Sequence, residues 1–192
     1  MNNGVILLAR HAETSLNAEN KFRGTANPVL TAKGRAEARS MKAKLDGQFD
    51  RVVTDAYLRT RQTAAIIAPG HSLEIDDNVG PWDVGELSGT SKKGMESIFE
   101  KVYVEHPEIA IPEGESLNSF LRRWKMTYER YLDMAAQGQR ILIVSHGSNL
   151  GAVLFSFRPV ALEDGIVPPN GSIVKVLPGQ SPQLLAGNQQ QL

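Results

Sequence analysis

The chain has 192 residues, of which 41% are apolar, enough for one compact domain with a substantial core. Lysine plus arginine and aspartate plus glutamate are equal at 21 each, so no net basic field favours binding to nucleic acid or to an anionic membrane. Cysteine is absent, which excludes disulfides, thiolate metal sites and cysteine nucleophiles.

The N-terminus carries no targeting pattern. Four residues precede a short apolar run at 5–9, with no basic region before it. That run is too short for the apolar core of a signal peptide or for a membrane span. We therefore expect a soluble, cytoplasmic protein that forms a single domain over residues 1–192.

Two continuous apolar runs, at 5–9 and 141–144, are typical of strands buried on both faces of a parallel sheet. Between them, the pattern predicts a helix over 31–45 that is opened by Thr31, a short strand at 52–53 and a helix over 56–68. A long helix with one apolar stripe follows Ser116.

The last third of the chain continues the alternation. A helix is expected at 150–155 and a strand at 172–177, after a proline-rich stretch from 159 to 169. These elements predict a three-layer α/β/α sandwich with a mostly parallel central sheet. Residues from about 179 to 192 are expected to form a tail, with an edge strand at Leu184 and Leu185 as the exception.

One long segment, residues 68–94, shows no periodic pattern of a helix or strand. Residues 68–94 are irregular and rich in glycine and proline, and a loop of this length in a compact domain is usually functional or disordered. We predict a lid or substrate loop here.

Each of the two central strands ends in a histidine followed by a small residue, His11 and His146. Because ligands bind beyond the carboxyl ends of the strands in an open α/β sheet, both imidazoles are expected to face one cleft. Either histidine alone could simply be hydrogen-bonded at a strand end. The coincidence of two, with Arg10 beside one of them, favours a functional site.

Arginines and a helix start complete a candidate anion site. Arg10 adjoins His11, and Arg59 and Arg61 lie near the start of the helix after the second strand; their planar guanidinium groups match phosphate oxygens. The interpretation of Arg61 as a solvated surface residue is the better one. Gly147 would place free backbone N–H groups of a helix N-terminus near an anion.

Five ordered motifs resemble those of the histidine phosphatase superfamily, the phosphoglycerate-mutase-like group. The similarity extends from Val5 to about Val176. The motifs are Arg10-His11-Ala12-Glu13-Thr14 with Asn17, Pro28-Val29-Leu30-Thr31-Ala32-Lys33-Gly34, Arg59-Thr60-Arg61-Gln62-Thr63-Ala64, Gly114-Glu115-Ser116 and Ser145-His146-Gly147.

The resemblance implies a role for each matching residue. His11 would be the nucleophile and His146 its electrostatic partner. Arg10 and Arg59 would clamp the phosphate, with Asn17 as a further contact. It also implies a reaction that needs no metal or other cofactor and a small phosphorylated substrate. Physical chemistry agrees, because a neutral imidazole is a competent nucleophile and arginines neutralise a transferring phosphoryl group.

The chain departs from the family where the general acid is expected. When Gly85 is aligned with the glycine of the family pattern, Pro81 stands in place of the usual glutamate. Asp83 and Glu86 are the nearest carboxylates, and we expect Asp83 in particular to supply the proton. Ala12 also replaces the usual glycine, which is tolerated where the backbone needs no positive φ.

Several functions remain open at this point. The leading hypothesis is a phosphatase acting on a small metabolite, since the family's mutases carry an extra insertion and the 68–94 loop holds only Lys92 and Lys93 as basic residues. A phosphoglycerate-mutase-type phosphotransferase and a non-catalytic phosphate-binding or interaction module are the alternatives. A metal hydrolase using both histidines ranks lower, because a paired-histidine helix motif is absent.

Overall fold

The computed structural model of the chain describes residues 4–158 and 167–186. The strands are β1 (Val5–Arg10), β2 (Arg51–Thr54), β3 (Leu73–Ile75), β4 (Arg140–Ser145), β5 (Ile173–Val176) and β6 (Gln183–Ala186). The α-helices are α1 (Ser15–Ala18), α2 (Ala32–Lys42), α3 (Leu58–Ile67), α4 (Glu96–Phe99), α5 (Leu117–Ala136) and α6 (Gly147–Leu154). Two short 3₁₀ helices cover Asp77–Val79 and Gly85–Leu87, and a π-helical turn, Glu100–Val104, follows α4.

All six strands form one sheet in the order β3-β2-β4-β1-β5-β6. The first four strands in that order pair in parallel, whereas β5 and β6 add an antiparallel edge. In the central pair, Val5 lies opposite Arg140 and Arg10 opposite Ser145, so β1 and β4 end at the same level. The predicted parallel pairing of these two strands is confirmed.

The side chains of the central strands alternate between two apolar cores. Ile141 and Ile143 of β4 belong to a core that includes the buried stripe of α5 and residues of α6. Leu142 and Val144 belong to the opposite core, with residues of α2 and α3. Helices therefore cover both faces of the sheet, which confirms the three-layer α/β/α sandwich.

The helix starts follow the capping rules used above. The Thr31 side chain accepts a hydrogen bond from the Gly34 backbone N–H, and Ser116 does the same for Ser119. Helix α6 begins three residues earlier than expected. The extended backbone of His146 serves as its N-cap, and the N–H groups of residues 149 and 150 donate to the His146 carbonyl.

The 68–94 segment contains regular structure, although the sequence analysis described it as irregular. Strand β3 and both 3₁₀ helices lie within it, and they are too short to leave a periodic pattern in the sequence. Strand β6 also pairs with β5 inside the segment interpreted as a tail, in agreement with the edge strand expected at Leu184 and Leu185. Part of the proline-rich stretch, 159–166, and residues 187–192 lie outside the described residues.

No helix in the described ranges is both long enough and apolar enough to cross a membrane.

The alternation along β4 predicts a large stability difference between two substitutions. Ile143 is fully buried, and truncating such a side chain to alanine costs about 2–5 kcal/mol through lost burial and a residual cavity. Ile143→Ala should therefore lower the free energy of unfolding by about that amount. The measurement is urea unfolding followed by circular dichroism.

Met126 provides the control, because it lies on the outer side of α5 with 67% of its surface exposed. Met126→Ala should change the free energy of unfolding by less than about 0.5 kcal/mol. Equal losses for the two variants would contradict the assigned core.

Candidate active site

The ends of β1 and β4 bring the two strand-end histidines together. The His11 backbone N–H donates to the Ser145 carbonyl at 2.9 Å, which continues the strand pairing one residue beyond β1. The rings of His11 and His146 meet edge to face, with centroids 5.2 Å apart and planes inclined by 65°. The two imidazoles thus lie in one site, as expected from their positions in the sequence.

One nitrogen of His11 is engaged and the other is available. Nδ1 lies 2.8 Å from the Ala12 carbonyl, which only accepts hydrogen bonds, so Nδ1 carries the proton. The buried Nε2 makes no hydrogen bond with any residue that the structure describes. Burial, followed by the charges of His146 and Arg59, holds the pKa of His11 well below its usual value. Its Nε2 lone pair is therefore free at neutral and mildly acidic pH.

Arg10 and Arg59 are buried beside these rings. Arg10 donates to the Pro168 carbonyl, and its Nε has no partner within the described ranges. Arg59 donates to the carbonyls of Ala26 and Gly24 at 2.7 and 3.2 Å. Burial lowers the pKa of Arg10 to about 9 and that of Arg59 to about 10. Both guanidinium groups remain charged at neutral pH.

Gly147 makes room for the Arg10 guanidinium. A Cβ atom at Gly147 would lie 3.1 Å from the central carbon of that group and 2.2 Å from Cγ1 of Val167. Because Gly147 is also the first residue of α6, its lack of a side chain lets Arg10 lie against the N-terminus of the helix.

The His146 ring is held on two sides. Its Nε2 lies 2.5 Å from Oδ2 of Asp55, and Nε of Arg59 lies 3.4 Å from its Nδ1. Asp55 is itself buried and accepts hydrogen bonds from the Thr60 hydroxyl at 2.5 Å and the Tyr57 N–H at 3.0 Å. The sequence analysis did not identify Asp55, although it directly follows β2 and the strand-end argument applied to the histidines would have found it.

The pKa shifts in this pair follow from burial. Burial raises the pKa of Asp55, while the hydrogen bonds from Thr60 and Tyr57 oppose the rise. Burial, followed by the charge of Arg59, places the pKa of His146 well below its usual value. Every contact to the Asp55 carboxylate comes from a hydrogen-bond donor, so an ionised Asp55 beside a neutral His146 that keeps its proton on Nε2 satisfies all of them.

A cavity of about 210 Å³ opens beside His146. Among the described residues, its charged lining consists of arginines and a lysine, the His146 imidazole adds a polar ring, and the remaining walls are largely apolar and aromatic. The lining residues are Arg10, Phe22, Arg23, Gly24, Arg59, Pro81, Trp82, Val84, Lys92, Phe99, His146, Gly147, Ser148 and Val167. We call this cavity the anion cavity.

The sequence analysis missed Arg23, a third arginine in the anion cavity. It lies in an irregular segment after α1, where no periodicity or strand end indicates an inward position. Burial lowers the pKa of Arg23. The irregular 68–94 segment contributes Pro81, Trp82 and Lys92 to the same cavity.

A second cavity, of about 500 Å³, adjoins the first at Gly24 and Pro81. We call it the acidic cavity, because four carboxylates line it. The lining residues are Gly24, Asp55, Ala56, Tyr57, Asp77, Gly80, Pro81, Asp83, Gly114, Glu115 and Arg123.

Neither candidate for the general acid lines the anion cavity. Asp83 lines the acidic cavity, and its carboxylate accepts a hydrogen bond from the Gly85 N–H at 3.0 Å. The Glu86 side chain is exposed and lines neither cavity. Asn17 likewise does not line the anion cavity, because its side-chain oxygen caps α1 by accepting from the N–H and hydroxyl of Thr14. The structure brings together Arg10, His11, Arg59, His146 and Gly147, but not these three residues.

Arg123 fixes the wall that separates the two cavities. Its guanidinium donates to the carbonyls of Asn78 and Pro81, each at 3.0 Å, and to Glu115 at 2.6 Å. Glu115 in turn accepts from the Asp83 backbone N–H at 3.1 Å. Pro81 and its neighbours are thereby attached to α5.

Comparison with known proteins places this geometry among phosphoryl-transfer enzymes. The family model described as the histidine phosphatase superfamily (branch 1) matches residues 6–186. A probable phosphoglycerate mutase GpmB from Cronobacter sakazakii is 32% identical over 192 residues, covering 95% of this chain and 88% of that protein.

Two solved structures share the fold. A phosphoserine phosphatase mutant from Entamoeba histolytica superimposes with a TM-score of 0.79 at 21% identity, covering 97% of this chain and 98% of that one. A putative alpha-ribazole-5'-P phosphatase from Escherichia coli gives a TM-score of 0.80 at 22% identity, covering 100% and 98%.

The different burial of Arg59 and Arg61 generates a test of the clamp. Arg59 is fully buried at the anion cavity, whereas Arg61 is exposed two residues further along α3. Arg59→Ala should lower kcat/KM for p-nitrophenyl phosphate by about 10²–10³-fold, because a preorganised donor to the transferring oxygens is lost. Arg61→Ala is the matched control and should stay within about threefold of the wild type, as expected for a surface change.

Circular dichroism spectra of both variants establish that they are folded. Equal losses of kcat/KM in two folded variants would contradict the assignment of Arg59 to the clamp.

Proposed function

Since the chain belongs to the histidine phosphatase superfamily, we propose that it hydrolyses a phosphate monoester of a small metabolite through a phosphohistidine formed on His11. The observation that carries this proposal is the buried Nε2 of His11, which has no hydrogen-bond partner among the described residues while Nδ1 is bound to the Ala12 carbonyl and the ring packs against His146 of the anion cavity. A nucleophile needs an unoccupied lone pair and a ring held in one tautomer, and this arrangement supplies both.

The first step of the proposed reaction transfers the phosphoryl group to His11. Nε2 attacks phosphorus while the bond to the ester oxygen breaks, and Nδ1 keeps its proton on the Ala12 carbonyl. Charge on the three equatorial oxygens needs to be neutralised, which guanidinium groups do without a metal. Arg10, Arg23 and Arg59 supply that charge around the cavity.

The second step returns the phosphoryl group to water. The anion cavity has a volume of about 210 Å³, and each liquid water takes up about 30 Å³. It also shares the lining residues Gly24 and Pro81 with the acidic cavity. Water therefore has room beside a bound phosphoryl group, which supports hydrolysis as the fate of the phosphohistidine.

A mutase-type phosphotransferase is the second candidate, and two observations favour it. The relative from Cronobacter sakazakii is named a probable phosphoglycerate mutase. Arg23 and Lys92 add positive charge to the cavity beyond Arg10 and Arg59, as a substrate with a second anionic group would require. Phosphatase and mutase share the phosphohistidine step and differ in the acceptor.

The non-catalytic and metal-hydrolase alternatives receive less support. A free buried imidazole nitrogen is a costly feature for a module that only binds phosphate. Within the described residues, no three histidine, aspartate or glutamate side chains lie close enough to hold a metal ion.

The phosphohistidine generates the first test of the proposed function. Brief incubation with ³²P-labelled substrate, followed by quenching, should leave a protein-bound label that is labile to acid and stable to base. His11→Ala should abolish the label, because the attacking nitrogen is gone. A label that is stable to acid, or one that survives in His11→Ala, would contradict the assignment.

The fate of the label separates the two candidates. A phosphatase should release it as inorganic phosphate in water alone. A mutase should retain it until 3-phosphoglycerate is added and should then return it to the organic product.

Charge stabilisation by arginines generates a second test, which concerns metals. Treatment with excess EDTA and gel filtration should leave kcat/KM for p-nitrophenyl phosphate unchanged. Vanadate, which mimics the pentacoordinate transition state, should inhibit at concentrations well below those at which phosphate does. Loss of activity with EDTA and its recovery with zinc or magnesium would favour the metal-hydrolase alternative.

A further inference from the structure

The imidazole of His146 forms part of the wall of the anion cavity. Within the described residues, the titratable lining consists of three arginines, Lys92 and His146, without a carboxylate. Even after burial, the pKa values of Arg10 and Arg59 stay at about 9 and about 10, so these guanidinium groups keep their protons at neutral pH and are poorly matched to general acid catalysis there. Of the described ionisable groups that line the cavity, the imidazole of His146 is the one whose ordinary pKa lies near neutrality.

We propose that His146, held in place by Asp55, is the general acid that protonates the leaving group and the general base that activates water. This proposal rests on the proposed function and assigns the proton transfers within it. His146 acts on the reacting atoms and is a catalytic residue, whereas Asp55 acts through His146 and is a positioning residue.

The two ring nitrogens of His146 have different hydrogen-bond partners. Nε2 lies 2.5 Å from the Asp55 carboxylate, which fixes the tautomer and the plane of the ring. Nδ1 has only the long contact of 3.4 Å from Nε of Arg59. A ligand oxygen that accepts from both groups replaces this weak contact at little cost. Nδ1 is therefore the nitrogen that exchanges a proton with the substrate.

Asp55 also lies close to the position left without an acid. A Cβ atom at Gly80 would lie 3.8 Å from Oδ2 of Asp55, and Gly80 precedes Pro81, which replaces the family's glutamate. The carboxylate nearest to this Cβ position among the described residues is therefore that of Asp55, which follows β2, and it does not come from the 68–94 segment. Hydrogen bonds from Thr60 and the Tyr57 N–H keep Asp55 in this orientation.

Substrate binding places the proton on Nδ1. In the free protein, burial holds the pKa of His146 low, and the charges of Arg59, Arg23, Arg10 and Arg123 add to this effect. The other ionisable groups beside the ring are Asp55, which favours a charged imidazole, and His11 and Tyr57, which face its ring. A bound phosphate ester adds up to two negative charges against these arginines, so it raises the pKa of His146 and favours the imidazolium form.

The proton and electron balance of the two steps is complete. In the first step, the bond between phosphorus and the ester oxygen breaks as the bond to His11 Nε2 forms, and the His146 Nδ1 proton moves to the departing oxygen. In the second step, water attacks phosphorus and gives a proton to His146 Nδ1, while the bond to His11 breaks. Each histidine ends as it began, and the net reaction consumes one water.

The experiment compares an alkyl ester with an aryl ester, using ethyl phosphate and p-nitrophenyl phosphate. Ethoxide is a poor leaving group that needs the proton, and general acid catalysis is worth about 10²–10⁴-fold, whereas nitrophenolate departs unaided. Asp55→Asn should lower kcat/KM for ethyl phosphate by about 10²-fold and that for p-nitrophenyl phosphate by less than tenfold. Because kcat/KM reports on steps up to phosphoenzyme formation, the dephosphorylation step common to both esters does not obscure the comparison.

Asp77→Asn is the matched control, because Asp77 lines the same acidic cavity and does not contact His146. It should leave both kcat/KM values within about threefold of the wild type, as for a surface change. Asp83→Asn and Glu86→Gln test the rival acids in the same assay. A selective loss on ethyl phosphate in either of these, or equal losses on both esters in Asp55→Asn, would overturn the proposal.

A measurement on the wild-type protein covers the case in which Asp55→Asn does not fold. In ¹⁵N-labelled protein, His146 is assigned by comparison with the spectrum of His146→Gln. The free protein should show a neutral imidazole with its proton on Nε2, and the vanadate complex should show an imidazolium. A neutral ring in the vanadate complex would overturn the proposal. Absence of any phosphohistidine in the wild type would instead refute the proposed function, so the two failures are distinguishable.

Discussion

The parallel pairing of β1 with β4 is the constraint on which the site depends. The two strands run in register from Val5 opposite Arg140 to Arg10 opposite Ser145. The segments that follow β1 and β4 therefore leave the sheet at the same edge. His11 and His146 are the next residue on each strand. Their separation is therefore set by the spacing of hydrogen-bonded strands, one of the most rigid distances in a protein. Any change that shifts this register by one residue would turn one imidazole away from the other.

Charge creates the second constraint, because this edge of the sheet buries several cationic side chains together. Backbone carbonyls of the surrounding loops accept hydrogen bonds from the guanidinium groups. The Pro168 carbonyl accepts from Arg10, and the carbonyls of Gly24 and Ala26 accept from Arg59. The buried carboxylate of Asp55 is the compensating charge that contacts His146. Among the described residues, these dipoles and the Asp55 carboxylate leave a positive surplus, which the phosphate dianion of the proposed substrate would neutralise.

Sequence reasoning identified the parts of this arrangement that rest on periodicity and on strand ends. The three-layer sandwich, the caps at Thr31 and Ser116 and the meeting of His11 with His146 follow from local patterns, and the structure bears them out. Arg23 was not identified, because its inward position depends on the path of an irregular loop. Asp55 was not identified either, although it stands at an equivalent strand end, directly after β2. The placement of Asp83 in the acidic cavity rather than the anion cavity depends on tertiary contacts of the loop, which no local sequence pattern indicates.

The attachment of the Pro81 segment to α5 has a thermodynamic consequence. Arg123 satisfies the carbonyls of Asn78 and Pro81 in the absence of any ligand, and Glu115 holds the Asp83 backbone. A wall that is already ordered loses little conformational entropy when a molecule enters. Ordering this wall therefore does not weaken the binding of that molecule. In the proposed hydrolysis, the same rigidity would restrict which alcohol groups of a phosphate ester fit, because a fixed wall excludes a group of the wrong shape. Selectivity on this side of the cavity would then come from exclusion by shape.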